Sequence, residues 1–266
     1  MKAILVAAGF GTRTLPASKT VPKEMFPVGD RPVIQHIIEA MVAGGIQDII
    51  MVTSQQKKVL EDYFDTNYQL EDVLKKKGKL DLLGLINAPK KMANFSFVRQ
   101  QDILGTGHAV LQGAPFISED YFMSVLADTI YPPETFTEML RIHKETGGPV
   151  IAVHEVPRDE VYKYGVVKLE GERVVGIVEK PKVEDAPSNI ISNGVMILPK
   201  EAFEIRRTAQ VDHLGEVYIP MAVTALIEKY TFTACRLRPY LDTGSFQGLI
   251  EANARLYNDG YLFPPL

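Results

Sequence analysis

Apolar residues fall into short runs that alternate with segments of helical spacing, the pattern of βα units around a mostly parallel sheet. Lys2 to Ala8 reads as a buried first strand. Pro32 then opens a helix in which Val33, Ile34, Ile37, Ile38, Met41 and Val42 fall on one face, and Gly44-Gly45 ends it. Ile46 to Thr53 is a second strand, followed by helical patterns over Lys57 to Phe64 and Tyr68 to Lys77. Phe95 to Arg99 predicts a short strand, and Phe122 to Ala127 a buried one that runs into Asp128. Glu134 to Thr146 is helical and Val150 to Val156 is again a strand.

After Pro157 the texture changes. Tyr164 to Leu169 and Arg173 to Val178 flank Glu170-Gly171-Glu172 as a hairpin, and Asn193 to Leu198 is strand-like. Gly215 to Tyr230 reads as a helix with Pro220 in its first turn, where a missing N–H costs little. Thr231 to Leu237 returns to the sheet and Ser245 to Asn258 closes with a helix. The chain shows no internal repeat, linker or hexapeptide periodicity. The expectation is one α/β domain over residues 1–266: a Rossmann-like, mostly parallel mixed sheet flanked by helices, with a small β-rich insertion.

The net charge of −4 leaves no cationic excess to displace phosphate counterions, which argues against a nucleic-acid partner. Lys75-Lys76-Lys77 and Lys90-Lys91 read as solvated helix ends or loops. Cys235 is the only cysteine, so an internal disulfide and a cysteine-based zinc site are both excluded, which suits a reducing compartment. Met1 to Phe10 imitates a signal peptide until Gly11-Thr12-Arg13 interrupts it, and no run approaches the roughly 18 apolar residues of a membrane span. A cytoplasmic protein without a membrane partner is expected. The apolar tail, Tyr261 to Leu266, is expected to dock on its own fold or at a subunit contact.

The chemistry concentrates after the first strand, in Ala7-Ala8-Gly9-Phe10-Gly11-Thr12-Arg13. Two glycines directly after a strand let backbone N–H groups approach a phosphate. A dinucleotide fingerprint would need a third glycine where Thr14 stands, and an immediate helix where Pro16 and Pro22 forbid one. A Walker A loop fails for want of a following Gly-Lys-Ser/Thr. What remains is an extended loop with Arg13, Lys19 and Lys23 beside a glycine turn, a set of fixed cations and donors that suits a triphosphate.

The stretch Ala8 to Arg13, with Pro16-Ala17-Ser18-Lys19 and Pro22-Lys23-Glu24-Met25, resembles the sugar-phosphate nucleotidyltransferases, most nearly the bacterial UTP–glucose-1-phosphate uridylyltransferases. The likeness continues through Val98-Arg99-Gln100, Leu104 to Val110, Tyr164 to Val167, Val178 to Lys182 and Ala186 to Asn189, in the family's order. It implies a Mg²⁺-dependent enzyme that transfers the nucleotidyl group of UTP to glucose 1-phosphate, giving UDP-glucose and pyrophosphate, with dTTP or another sugar 1-phosphate as the alternative, and a homo-oligomer. It divides the domain into a nucleotide-binding part of about residues 1–157 and a sugar-binding part of about 158–266.

By this resemblance Lys23 and Arg13 are catalytic, offsetting charge on the transferred and leaving phosphates. Ala8, Gly9, Gly11, Thr12, Gln100 and Gly105 would hold the nucleotide, with the Gln100 amide on the base. Gly165, Glu179, Lys180 and Asn193 would hold the sugar phosphate, and Asp128 and Asp242 the metal. Each also has a plainer use: Lys23 as an exposed loop lysine, the two aspartates as helix N-caps, Gln100 as the finish of an edge strand, Glu179-Lys180 as a solvated strand end. His108 reads as a helix-start residue. Two departures from the uridylyltransferase pattern stand out: Met221 replaces an expected aspartate, and Leu241-Asp242-Thr243-Gly244 looks like the thymidylyltransferases. The choice between UTP and dTTP, and of sugar, therefore stays open at this point, as does a non-catalytic relative.

Overall fold

A computed structural model describes residues 1–204 and 215–263 of the chain. The strands are β1 (Lys2–Val6), β2 (Pro27–Val28), β3 (Arg31–Pro32), β4 (Asp48–Thr53), β5 (Asn94–Arg99), β6 (Tyr121–Leu126), β7 (Thr129–Ile130), β8 (Val150–Glu155), β9 (Gly165–Glu170), β10 (Arg173–Glu179), β11 (Ile190–Pro199), β12 (Phe232–Arg236) and β13 (Leu241–Asp242). The helices are α1 (Val33–Ala43), α2 (Lys58–Tyr63), α3 (Tyr68–Lys76), α4 (Leu80–Asn87), α5 (Gly105–Gln112), α6 (Glu134–Thr146), α7 (Ile219–Leu226) and α8 (Phe246–Asp259). The main sheet runs β5-β4-β1-β6-β11-β8-β12-β10-β9. β5, β4, β1 and β6 pair in parallel, while β11 enters antiparallel between β6 and β8. The sheet is thus mixed, and its antiparallel share lies beyond β6, where the β9–β10 hairpin can pair no other way.

Alternation along the strands builds a core on each face of the sheet. Ala3, Leu5, Met51, Met123 and Val125 face a cluster completed by Ile34, Ile37, Ile38 and Met41 of α1 and Phe136 and Met139 of α6. Ile4, Ile50, Val52 and Phe122 face the opposite cluster, which includes Ala109 and Val110 of α5 and Ala222 and Val223 of α7. Met221 packs partly buried against this second cluster, so the residue in the place of the expected aspartate serves the core. At the C-terminus Leu262 and Phe263 pack on the first cluster, which seats that part of the tail on its own fold; residues 264–266 lie outside the described residues.

One predicted element starts late. The helix expected from Gly215 begins at Ile219, because Val217 is spoken for by the backbone: its N–H donates to Leu104 O at 2.9 Å and its carbonyl accepts from Gly107 N–H at 2.8 Å. Residues 215–218 therefore run alongside the start of α5. Gly105, at φ +90°, permits this approach, since a Cβ there would stand 2.5 Å from Val217 O. Pro220 sits in the first turn of α7 as expected. Among the described residues no helix is long and apolar enough to cross a membrane.

Candidate active site

β1 sits between β4 and β6, so the chain turns one way to β4 and the other way to β6. In open α/β sheets the crevice for a ligand lies where strand order reverses, outside the carboxyl ends of the strands. The loop that leaves β1 carries Ala8 to Arg13, and the one that leaves β6 carries Asp128. The two expected chemical segments therefore meet at one end of the sheet.

The loop after β1 is built from three single turns of 3-10 helix, Thr12–Thr14, Ala17–Lys19 and Lys23–Met25. Gly11 begins the first in the left-handed region, at φ 69°. Its carbonyl accepts from Thr14 Oγ1 at 2.9 Å and from Ser18 Oγ at 2.7 Å, which folds the loop back on the glycine turn. Buried Ala8 lies two residues past the end of β1, and Gly9 has open space where a side chain would stand. Gly9, Ser18, Lys19, Lys23 and Lys57 line a small cavity of about 20 Å³ under this turn.

Asp128 and Asp242 are brought together by a two-residue bridge in which Asp242 pairs with Thr129 and Leu241 with Ile130. Thr243 Oγ1 ties the bridge down by donating to Asp128 O at 2.9 Å. Lys23 Nζ reaches Asp128 Oδ2 at 2.5 Å, and Arg13 lies 2.8 Å from Asp242 Oδ2 and 3.5 Å from Asp128 Oδ2. Neither aspartate is a helix cap: α6 starts behind Pro133, and the α8 cap is Ser245, whose Oγ accepts from Gly248 N–H at 3.2 Å. Nor is Lys23 a free loop lysine, since its side chain is only 14% exposed.

The charges tune one another. Burial works against the Lys23 ammonium, but the carboxylates of Asp128 and Glu24 outweigh it and hold the pKa above its ordinary value. Burial likewise pushes the Asp128 carboxyl up, yet Lys23 foremost, then Arg13 and Lys57, keep it below the usual carboxylate range. Both partners are therefore ionised at neutral pH. Gly244 completes the cluster by absence: a Cβ there would stand 2.5 Å from Arg13 Nη2, 2.8 Å from Asp128 Oδ2 and 3.1 Å from Asp242 Oδ1.

A cavity of about 640 Å³ opens from this cluster toward the β-rich half of the chain. Thr12, Arg13, Asp128 and Asp242 line one end, and Gly165, Glu179, Lys180 and Asn193 line it further on. Burial raises the Glu179 pKa against the pull of Lys180. Lys180 holds a left-handed backbone, φ 44°, which only a constrained non-glycine residue adopts, and its Nζ lies 4.7 Å from the centre of the Tyr218 ring. Asn193 precedes Gly194, where β11 shifts register, and its carbonyl accepts from Tyr131 Oη at 3.2 Å.

Gln100, by contrast, lies off the large cavity. It is 2% exposed, and its Nε2 donates to Gly105 O at 3.2 Å and to His108 Nδ1 at 3.0 Å. It thus sits against Gly105, beside the start of α5, and His108 lies within α5. Tyr164, Tyr218, Tyr240 and Lys163 also line the large cavity, and sequence reasoning assigned none of them. Only Tyr164 carried a signal, as the neighbour of Gly165.

The sequence matches the Nucleotidyl transferase family over residues 2–259. A UTP–glucose-1-phosphate uridylyltransferase of Staphylococcus epidermidis is 41% identical over 235 residues, 86% of this chain and 82% of its own length. A UDP-glucose pyrophosphorylase complexed with UDP-glucose superposes with a TM-score of 0.85 at 35% identity, covering 97% of this chain and 98% of that one. A UTP-bound UGPase from Acinetobacter baumannii gives 0.87 at 35% identity, covering 98% and 94%.

Because Gly244 leaves room for no side chain, Gly244→Ala should displace the Arg13 guanidinium and the two carboxylates together. Nucleotidyl transfer should fall by about 10²-fold, as small misplacements of catalytic groups do, while the melting temperature stays close to that of the parent. A parental rate in this variant would show that the cluster is not used in this arrangement.

Proposed function

The chain belongs to the Nucleotidyl transferase family, and we propose that it transfers the uridylyl group of UTP to glucose 1-phosphate, giving UDP-glucose and pyrophosphate. The observation that carries this reading is the meeting of Arg13, Asp128 and Asp242, with Lys23 paired to Asp128, at a cavity whose other walls hold Glu179 and Lys180. Such a cavity gives a triphosphate and a sugar phosphate adjoining places.

A phosphate oxygen of the sugar ester attacks the α-phosphorus in line, a new P–O bond forms, and the bond to the β-phosphate oxygen breaks. The attacking oxygen is anionic near neutral pH, so no side-chain nucleophile is required and catalysis consists of positioning and charge neutralisation. Lys23 offsets charge on the transferred phosphoryl and Arg13 holds the leaving pyrophosphate. Backbone N–H groups of Gly9, Gly11 and Thr12 cradle the phosphate chain. Ala8, Gln100 and Gly105 form the base pocket, where turning the Gln100 amide from His108 to uracil is the adjustment binding needs. Gly165 lets the sugar close on the backbone, Glu179 and Asn193 meet its hydroxyls and Lys180 its phosphate. Residues 1–157 and 158–266 are the corresponding nucleotide and sugar parts.

The donor set fits a magnesium ion. Asp128 and Asp242 are two hard carboxylate donors held side by side, whose charge Arg13 and Lys23 meet in this structure, and such sites are completed by water and substrate phosphates. When bound there, Mg²⁺ would neutralise phosphate charge.

Pyrophosphate release over a panel of nucleoside triphosphates and sugar 1-phosphates tests the reaction. UTP with glucose 1-phosphate should be the fastest pair, and release from dTTP but not UTP would overturn the choice of nucleotide. Lys23→Ala should lower kcat by about 10²-fold, the scale of lost transition-state charge stabilisation; an unchanged kcat removes Lys23 from the chemistry. Asp128→Asn should raise the Mg²⁺ concentration giving half-maximal rate, whereas a superimposable magnesium titration counts against ligation.

A further inference from the structure

Lys57 belongs to no motif in the sequence, yet it is one of the most deeply buried charges among the described residues. It ends the single 3-10 turn Gln55–Lys57 that leaves β4, and its side chain is 6% exposed. Its Nζ lies 2.7 Å from Oε1 of Glu24, whose side chain is 1% exposed. Glu24 is the chain neighbour of Lys23 on the turn Lys23–Met25. The pair therefore fastens the turn that presents Lys23 to the end of β4, next to the edge strand of the main sheet.

Two further observations give the pair a purpose. Oε2 of Glu24 is buried without a hydrogen-bond partner among the described residues, so this carboxylate has accepting capacity to spare. Its charge already acts on Lys23, next in weight to that of Asp128. Lys23 and Lys57 also line the same small cavity beneath the glycine turn, with Lys19 and Ser54. A buried ion pair is sensitive to the loss of one member, because the other is left as an uncompensated charge, and tolerant of neutralising both. Without Lys57, the Glu24 carboxylate would turn to the nearest cation on its own turn.

We propose that Lys57 is a positioning residue for the transfer reaction: by occupying the buried carboxylate of Glu24 it leaves the Lys23 ammonium directed at Asp128 and the nucleotide's phosphates. This rests on the role given to Lys23 above. Steady-state kinetics with UTP and glucose 1-phosphate on Lys57→Met, and on the same variant carrying Glu24→Gln, test it. Lys57→Met should lower kcat by about tenfold or more while KM for UTP stays within about threefold, the mark of an interaction realised in the transition state. Adding Glu24→Gln should restore most of kcat, since no buried charge is then left to capture Lys23. Lys57→Gln is measured alongside: its amide keeps a donor for Glu24, which favours folding, but leaves the carboxylate charge uncompensated, so kcat should fall here too, and parental kcat in it would overturn the proposal should the methionine variant not fold. A rise in KM for UTP at unchanged kcat would overturn the proposal in favour of direct phosphate binding. A double variant as slow as the single one would overturn it too. Normal kcat in Lys57→Met beside a slow Lys23→Ala removes this proposal alone, whereas normal kcat in Lys23→Ala removes the underlying role of Lys23.

Discussion

The site depends on holding two carboxylates and two cations within a few ångströms of each other at a strand end. Asp128 and Asp242 would repel if left alone, and each is only partly open to water that could screen it. Lys23 and Arg13 resolve the repulsion, and the backbone bridge between Asp242 and Thr129 leaves the carboxylates no freedom to separate. The cost of assembling these charges is met by the fold. Both segments of the bridge border the first core, with Ile130 and Leu241 buried in it. A ligand rich in phosphate then finds its counter-charges already aimed, with Lys23 largely desolvated, which is where electrostatic catalysis draws its strength.

The same economy runs through the rest of the cavity. Backbone peculiarities lie on it or near it: the left-handed Gly11 in the loop after β1, the left-handed Lys180 after β10, and Gly194 at φ 90° where β11 slips register between β6 and β8. Gly194 also has Leu126 so near that any Cβ would collide, at 2.4 Å from Cδ1. Strained or glycine-dependent backbone of this kind persists where surrounding structure fixes it, and here the surroundings are a nine-stranded sheet with core on both faces.

Much of this was legible in the sequence. The strands with uninterrupted apolar runs and the helices with one apolar face stand close to where their patterns put them, α1 and α6 most clearly, because burial dictates those patterns. The helix α4 was missed: its eight residues include Gly84, none is buried, and an exposed short helix leaves no periodic trace. The start of α7 was misjudged because what stops it is a contact of Val217 with the α5 loop, over a hundred residues away in sequence. Among the site residues, local strings pointed to the glycine turn, Lys23, Asp128, Glu179 and Lys180. The parts played by Gly244 and Lys57 left no trace in their local strings, since they lie in distances to other elements: room withheld from a side chain in one case, a buried partner in the other. The capping alternative for the two aspartates also needed coordinates, because only the position of Ser245 shows which residue begins α8.

The most direct test of the account is a crystal structure with UTP and magnesium bound. The account predicts the triphosphate along residues 9–13, with Lys23 Nζ turned from Asp128 to a phosphate oxygen, Arg13 on the terminal phosphates and the ion on the freed carboxylates. A triphosphate seated elsewhere, with the Lys23–Asp128 and Arg13–Asp242 pairs still closed, would contradict it.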